Sequence, residues 1–382
     1  PGPVEVEPRV LAELAQPQMH HRAPEGVAKL MQVRAQLSEL LEAPGYEAVI
    51  VTGSGTAAFE GALVSLVPSN AKVVSAQAGK FSERWGEMAR HFGYDTQLVS
   101  KPWGELLDPQ EVADAAADAH TLLVTHSETS TGALHDLAAI AQAAKAQNPD
   151  LIVIADCITS YGVAELRPGE WGIDAVVGGS QKGLMLPPGL SFNAVSARAL
   201  AAGRNGGGMP RSYWDWQDMA GPNATGYFPY TPSTNLLYGL EEAIKMLEEE
   251  GLANVFARHD RHAAATRAAV RGWGLDILCQ DPREYSSILT AVVMPDGHDA
   301  DHLRAVILDN YDMSLGAGLA KLKGRAFRIG HLGHFNDLSL MGTLSGVEMG
   351  LHDAGVPHQQ RGTAAAMDVL AGRNAAAAQK AA

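Results

Sequence analysis

Ala48-Val49-Ile50-Val51-Thr52-Gly53-Ser54-Gly55-Thr56-Ala57-Ala58 reads as a buried strand, a tight glycine turn and the start of a helix that continues to Leu66. The strand is apolar at consecutive positions rather than at alternate ones, the pattern of a strand covered on both faces in a parallel sheet flanked by helices. Backbone N–H groups at such a helix start can hold a phosphate. The segment also satisfies the dinucleotide pattern G-x-G-x-x-A, which requires an acid about 20 positions on to bind a ribose hydroxyl. Val74, Ser75, Ala76 and Gln77 stand there instead, so a lone phosphate is favoured over a dinucleotide. Read alone, a ligand-free strand-to-helix turn explains the segment equally well.

The same unit recurs downstream. Apolar runs at Lys72–Ala76, Asp95–Val99, Thr121–Thr125, Leu151–Ala155 and Ala175–Gly178 alternate with helix-length stretches, which predicts an α/β fold with a mostly parallel sheet. Polar residues and glycines cluster just past these runs, at the strand ends where such sheets bind ligands. A Gly-, Pro- and Asn-containing stretch, Gly203–Pro232, breaks the pattern, and Leu236–Glu250 then reads as an amphipathic helix linking two lobes. Helices over Val255–Trp273, Asp301–Asn310 and Leu338–Ala354, with strands near Ile288–Val293 and Ser314–Gly316, predict a smaller α+β domain. The expected division is an N-terminal arm (1–20), a large domain (21–245), a small C-terminal domain (246–360) and an Ala-rich tail (361–382).

A net charge of −14 would repel nucleic acid and anionic membranes, which leaves small molecules or copies of the chain itself as partners. Two cysteines, Cys157 and Cys279, are too few for a disulfide framework and fit a reducing, cytoplasmic setting. No apolar run reaches the roughly 20 residues needed to span a bilayer, and the opening residues carry no basic or apolar signal segment.

Four further segments carry reactive groups. Ile152-Val153-Ile154-Ala155-Asp156 ends an apolar strand in an acid, whose desolvation calls for a cationic partner such as a protonated pyridine nitrogen; a helix cap or structural ion pair is the plainer alternative. Gly178-Gly179-Ser180-Gln181-Lys182-Gly183 sets one lysine among small and apolar residues, either as a snorkelling side chain or as an amine made nucleophilic by a lowered pKa. His126-Ser127-Glu128-Thr129-Ser130-Thr131-Gly132 offers Ser127 or Thr129 as a hydroxyl donor to a phenolic oxygen, or is simply a capping loop. Ala326-Phe327-Arg328-Ile329-Gly330 buries a guanidinium that a substrate carboxylate or an internal salt bridge could satisfy. The pairs His331/His334 and His259/His262 lack third and fourth ligands, so no metal is expected.

In this order, Gly53-Ser54-Gly55-Thr56, His126–Gly132, Asp156, Ser180-Gln181-Lys182 and Phe327-Arg328-Ile329-Gly330 resemble the class V aminotransferases, in particular the serine–glyoxylate and alanine–glyoxylate branch. The resemblance extends to the opening Pro1-Gly2-Pro3, the loop Phe228–Ser233 and the helix Leu340–Met349. It implies an aspartate-aminotransferase-like fold with a seven-stranded sheet, pyridoxal 5′-phosphate as cofactor, and a homodimer with shared active sites. Lys182 would carry the cofactor and move the substrate's proton, and Asp156 would hold the ring nitrogen. Ser54, Gly55, Thr56 and Gln181 would cradle the phosphate, with Tyr227 and Thr231 reaching in from the neighbouring subunit. Ser127 would touch the phenolic oxygen, Ile158 and Phe81 would cover the ring faces, and Arg328 would bind the substrate carboxylate. Phe81 stands where the family often has tryptophan, and Phe228 competes with Tyr227 for one position. The implied reaction transfers an amino group from serine or alanine to glyoxylate or pyruvate. Aspartate as donor, or a lyase or desulfurase reaction, is the alternative. A desulfurase would need a mobile cysteine, whereas Cys157 is expected in the cofactor pocket and Cys279 in the small domain.

Overall fold

A computed structural model describes residues 2–41, 43–205 and 208–372; Pro1 and the last part of the Ala-rich tail lie outside them. The strands are β1 Glu47–Thr52, β2 Lys72–Gln77, β3 Asp95–Ser100, β4 Thr121–Thr125, the short hairpin β5 Ser127–Glu128 and β6 Ala133–Leu134, then β7 Ile152–Asp156, β8 Ala175–Val177 and β9 Leu190–Val195. Seven of them form one sheet in the order β1-β9-β8-β7-β4-β2-β3. Only β9 runs against its neighbours, pairing antiparallel with both β1 and β8. The parallel sheet expected from the apolar runs is therefore present, with one strand that the runs did not reveal.

Successive residues in each strand face opposite layers. Ile50, Val74, Val153, Ala155 and Val176 enter one core, with Leu37 and Leu240 from the helices Pro24–Leu40 and Thr234–Glu250. Val49, Val51, Val73, Ile152, Ile154 and Val177 enter the other, with Phe59 and Trp85 from the helices Gly55–Leu66 and Lys80–His91. This period of two places the Asp156 side chain on the Ile152/Ile154 face, under the two helices that begin at Gly55 and Lys80. Cys157 instead joins the opposite core, so its expected place in the cofactor pocket is not where the fold puts it.

The second sheet, β10 Asp276–Ile277, β11 Leu289–Val293, β12 Gly316–Ala317 and β13 Ala326–Gly330, is antiparallel in the order β10-β11-β13-β12. Trp273, Ile307, Phe327, Leu344 and Val347 pack a separate core on it. The linking helix runs over Thr234–Glu250, and Leu252–Trp273 follows at once. Inside the stretch that breaks the repeat, Trp216–Ala224 is helical despite Gly221 and Pro222. Asp215 makes this possible by accepting from the N–H groups of Gln217 and Asp218, while Pro222 falls in the last turn. In the tail, Gly362–Leu370 is a helix, and residues 373–382 lie outside the described part.

Candidate active site

Asp156 is the last residue of β7, directly between Thr125 of β4 and Val177 of β8. It thus sits at the carboxyl ends of three adjacent parallel strands. The side chain is buried, and its Oδ1 accepts from the Ile158 N–H at 3.0 Å. Burial pushes the carboxyl up to about 7, with the Glu128 charge acting the same way. The Ile158 N–H, the Trp85 indole and Lys182 favour the charged form against this trend. A buried acid held so far above its usual range gains from a cation placed against it.

Lys182 lies in the loop after β8. Burial pushes its amine down to about 8, the positive charge of Arg328 adds to this, and Asp156 opposes it. The loop is pinned by Ser180, whose Oγ donates to the Pro187 carbonyl at 2.7 Å and accepts from the Leu190 N–H at 3.2 Å. Met185 closes a turn onto the Lys182 carbonyl at 2.9 Å and adopts φ 53°, a conformation that side chains rarely take and that clusters at functional sites. The N-terminal arm also enters here. Val4 N–H donates to the Gln181 carbonyl at 3.2 Å, and a Cβ on Gly2 would come within 2.8 Å of Lys182 Nζ.

Ile158 joins this loop to the first glycine turn. A Cβ on Gly55 would lie 2.3 Å from Ile158 Cδ1, and one on Gly179 would lie 3.2 Å from Ile158 Cγ2 and 3.3 Å from Gln181 Oε1. Ser54 caps the helix Gly55–Leu66 by accepting from Ala57 N–H at 3.3 Å. The first-turn N–H groups of Gly55 and Thr56 have no acceptor within the helix itself, which is the arrangement that binds a phosphate. Ser54, Gly55, Thr56, Ile158, Gln181, Lys182 and Asp156 are therefore gathered at one edge of the sheet.

Phe81 opens the helix Lys80–His91, whose first turn is tied to Glu128 and Ser130 of the neighbouring loop. Arg328, central in β13 and paired with Ala291 and Gly316, is buried. Its Nε donates to the Ala317 carbonyl at 2.8 Å and its Nη1 to the Thr129 carbonyl at 2.7 Å. These bonds fix the guanidinium plane without a carboxylate, so the structural salt bridge is not what holds it. Desolvation lowers Arg328 to about 10, which leaves it cationic at neutral pH. Ser127 Oγ lies 3.3 Å from Ser286 Oγ of the small lobe, so this hydroxyl is engaged across the lobes.

Thr231 lines a small cavity with Thr52 at the end of β1, and Tyr227 lies on the same loop. Tyr227 is 42 % exposed and Thr231 is exposed, whereas Phe228 packs against the core. The stacked pair Tyr213 and Tyr230 sits beside them, with Tyr213 Oη donating to the Thr52 carbonyl at 3.1 Å and Trp214 against Gly53. This aromatic surface lies outside the glycine turn. Of the histidine pairs, His331 lies between Thr290 and the Ser287 carbonyl, His259 bonds the Val255 carbonyl, His262 faces Asp337 and His334 faces Glu7. Glu128, its partner Ser130, and the Gly2–Val4 arm are the site features that sequence reasoning left without a role. An acid inside a Ser/Thr loop beside a strand end was the available signal for Glu128.

A buried acid and an amine of lowered pKa at the carboxyl edge of a parallel sheet, with a helix start for an anion and a guanidinium from a second lobe, define a transaminase-type site. The family model described as aminotransferase class V matches residues 9–324, and the chain belongs to that family. It is 36 % identical over 365 residues to a serine–glyoxylate aminotransferase of Methylorubrum extorquens, covering 93 % of this chain and 91 % of that protein. It is 36 % identical over 388 residues to an L-aspartate–glyoxylate aminotransferase of Paracoccus denitrificans, covering 100 % and 98 %. The crystal structure of an aspartate aminotransferase of subgroup IV from Thermus thermophilus superposes with a TM-score of 0.86 at 33 % identity, over 93 % of this chain and 98 % of that one. The chain is a transaminase with the aspartate-aminotransferase-like fold.

Proposed function

We propose that this transaminase uses pyridoxal 5′-phosphate to move the amino group of a small L-amino acid, serine or alanine, to glyoxylate or pyruvate. The observation that carries the reading is the opposed pair at the sheet edge, an acid lifted to about 7 and an amine lowered to about 8. The residues fit this cofactor: Asp156, lifted by its burial, would gain from a pyridinium nitrogen placed against it, and the Gly55 start offers N–H groups for a phosphate. When bound, the cofactor supplies the electron sink that makes a substrate Cα–H bond acidic.

The chain's own residues do the rest. Asp156 would hold the ring nitrogen in its protonated form, because the two charges relieve each other's desolvation. Lys182 would hold the cofactor and take the proton from the substrate's Cα, a task suited to an amine that is partly neutral near pH 8. Ser54, Gly55, Thr56 and Gln181 hold the phosphate, Ile158 and Phe81 cover the two ring faces, and Arg328 presents its remaining N–H groups to the substrate carboxylate. For the phenolic oxygen, Ser127 is the first candidate; its pairing with Ser286 makes Thr129 the hydroxyl to compare with it. One guanidinium whose charge is felt at Lys182 suits a donor with one carboxylate. The Paracoccus relative's name makes aspartate the donor to test beside serine and alanine.

The reading includes a homodimer in which the exposed 227–231 loop supplies Tyr227 and Thr231 to the partner's phosphate. Its support is the exposed Tyr213, Tyr227 and Tyr230 surface beside the glycine turn. It also includes the division at residues 20, 245 and 360, and a cytoplasmic setting, in keeping with two buried free cysteines. Among the described residues no helix is long and apolar enough to cross a membrane. Steady-state kcat/KM for L-serine, L-alanine and L-aspartate against glyoxylate and pyruvate tests the substrate pair. Serine or alanine with glyoxylate should lead; preference for aspartate by 10-fold or about that would overturn the donor assignment.

A further inference from the structure

Glu128 is fully buried, and five donors converge on its two carboxylate oxygens. Oε1 accepts from Phe81 N–H at 3.3 Å, Ser130 N–H at 3.1 Å and Ser130 Oγ at 2.6 Å. Oε2 accepts from Ser82 N–H and Ser82 Oγ, both at 2.9 Å. Ser130 Oγ accepts in turn from Lys80 N–H at 2.9 Å. Three orphan N–H groups of the helix that carries Phe81 are thus satisfied by this one loop, with an acid at the positive end of the helix dipole. Gly79 makes room for the contact, since a Cβ there would lie 2.3 Å from Glu128 Cδ and Cγ; its φ of 178° is ordinary extended backbone, so space and not conformation requires the glycine. The next residue along the loop, Thr129, gives its carbonyl to Arg328 Nη1 at 2.7 Å. One peptide segment therefore ties the aromatic residue of the large lobe to the guanidinium of the small lobe.

We propose that Glu128 is a positioning residue that fixes the spacing between Phe81 over the cofactor ring and Arg328 on the substrate carboxylate; this rests on the roles proposed above for those two residues. Its carboxylate is matched to a purely donating surround. In Glu128→Gln an amide NH2 replaces one acceptor oxygen and faces N–H donors, which loosens the first helical turn without changing side-chain volume.

The test is a double-variant cycle on wild type, Glu128→Gln, Phe81→Ala and the pair, following the dissociation constant of pyridoxal phosphate, KM for the amino donor, and amide exchange of residues 80–82 in the cofactor-free protein. Glu128→Gln should weaken cofactor binding and raise KM by on the order of 10-fold, with faster exchange at 80–82. The pair should bind cofactor no more than about twofold more weakly than Phe81→Ala alone, because Glu128 acts through that ring. Additive effects, or unchanged affinity and exchange in Glu128→Gln, would overturn the proposal. If Glu128→Gln does not fold, Ser130→Ala, which removes the hydroxyl bridge to Lys80, takes its place in the same cycle with the same criteria. A wild type that binds no cofactor would sink the functional reading and this inference together; a normal wild type with an additive cycle sinks the inference alone.

Discussion

Asp156 and Glu128 are both buried carboxyl groups at the same edge of the large sheet, and they are held in opposite ways. Glu128 receives five donors, all from its own chain, and ties the start of a helix in place. Asp156 accepts from Ile158 N–H and is lifted to about 7 by its burial. Folding has surrounded one acid with donors and left the other raised by its burial despite the Lys182 charge. The contrast separates structure from site more sharply than burial or residue type can, since both acids are buried. A polar group that the fold itself leaves short marks where a ligand completes the molecule.

The largest effect expected from the under-satisfied region is at Lys182. Lys182→Ala should lower kcat by at least about 10³-fold while the protein remains folded, because both the attachment and the proton transfer are lost. Turnover near wild type in that variant would remove Lys182 from the chemistry. Next comes Arg328, its plane fixed by two carbonyls and its remaining N–H groups proposed above for the substrate carboxylate. Arg328→Lys keeps the charge but loses the fork, and KM for donor and acceptor should each rise by about 10- to 100-fold with a smaller change in kcat. Equal KM values would return Arg328 to a purely structural role. A finer comparison sets Ser127→Ala against Thr129→Ala. The variant that removes the hydroxyl facing the phenolic oxygen should shift the cofactor's absorption maximum, and the other should leave it in place.

The smallest effect is on stability. Burial pushes His126 down to about 3 and His259 to about 4, so the folded protein binds fewer protons than the unfolded chain once the pH drops below about 6.5. Their contribution is present above that pH and is lost as the pH falls toward 4 and then 3. Asp156 has the opposite sign. Its raised pKa favours the folded state at low pH, and that advantage fades as the pH climbs from about 4 through about 7. Two histidines outweigh one aspartate, so melting of the cofactor-free protein should fall by a few degrees as the pH is lowered from about 6.5 toward 4, with no fall from these groups above about 7. A pyridinium nitrogen against Asp156 should remove that group's opposing contribution and steepen the acid side. An acid side whose slope is unaffected by cofactor would place the cation elsewhere than at Asp156.

The parts legible in the sequence were those encoded within a few residues. Each of the six apolar runs became a strand of the large sheet, and Asp156 stood out as an acid ending an apolar run and Lys182 as one lysine among small and apolar residues. The seventh strand, Leu190–Val195, was hidden by its polar residues. Ser191 and Asn193 alternate with apolar neighbours as on a solvent-facing strand, yet both are buried, and Asn193 Nδ2 reaches the Val49 carbonyl at 3.2 Å. The network at Glu128 was hidden for another reason: its partners at Phe81 and Ser82 lie 47 and 46 residues upstream, and only the pairing of strands with helices brings them together. Phe228 and Tyr227 could not be told apart by composition, and packing decided which of them faces out.

The central claim is that Lys182 and Asp156 hold a cofactor that accepts the donor's amino group. The direct test is the absorption spectrum of the purified, reconstituted protein before and after L-serine or L-alanine is added without any 2-oxo acid. A band near about 400 nm that shifts to about 330 nm, and returns on adding glyoxylate, is the predicted result. A band that no amino donor moves, or no band at all after reconstitution, would contradict it.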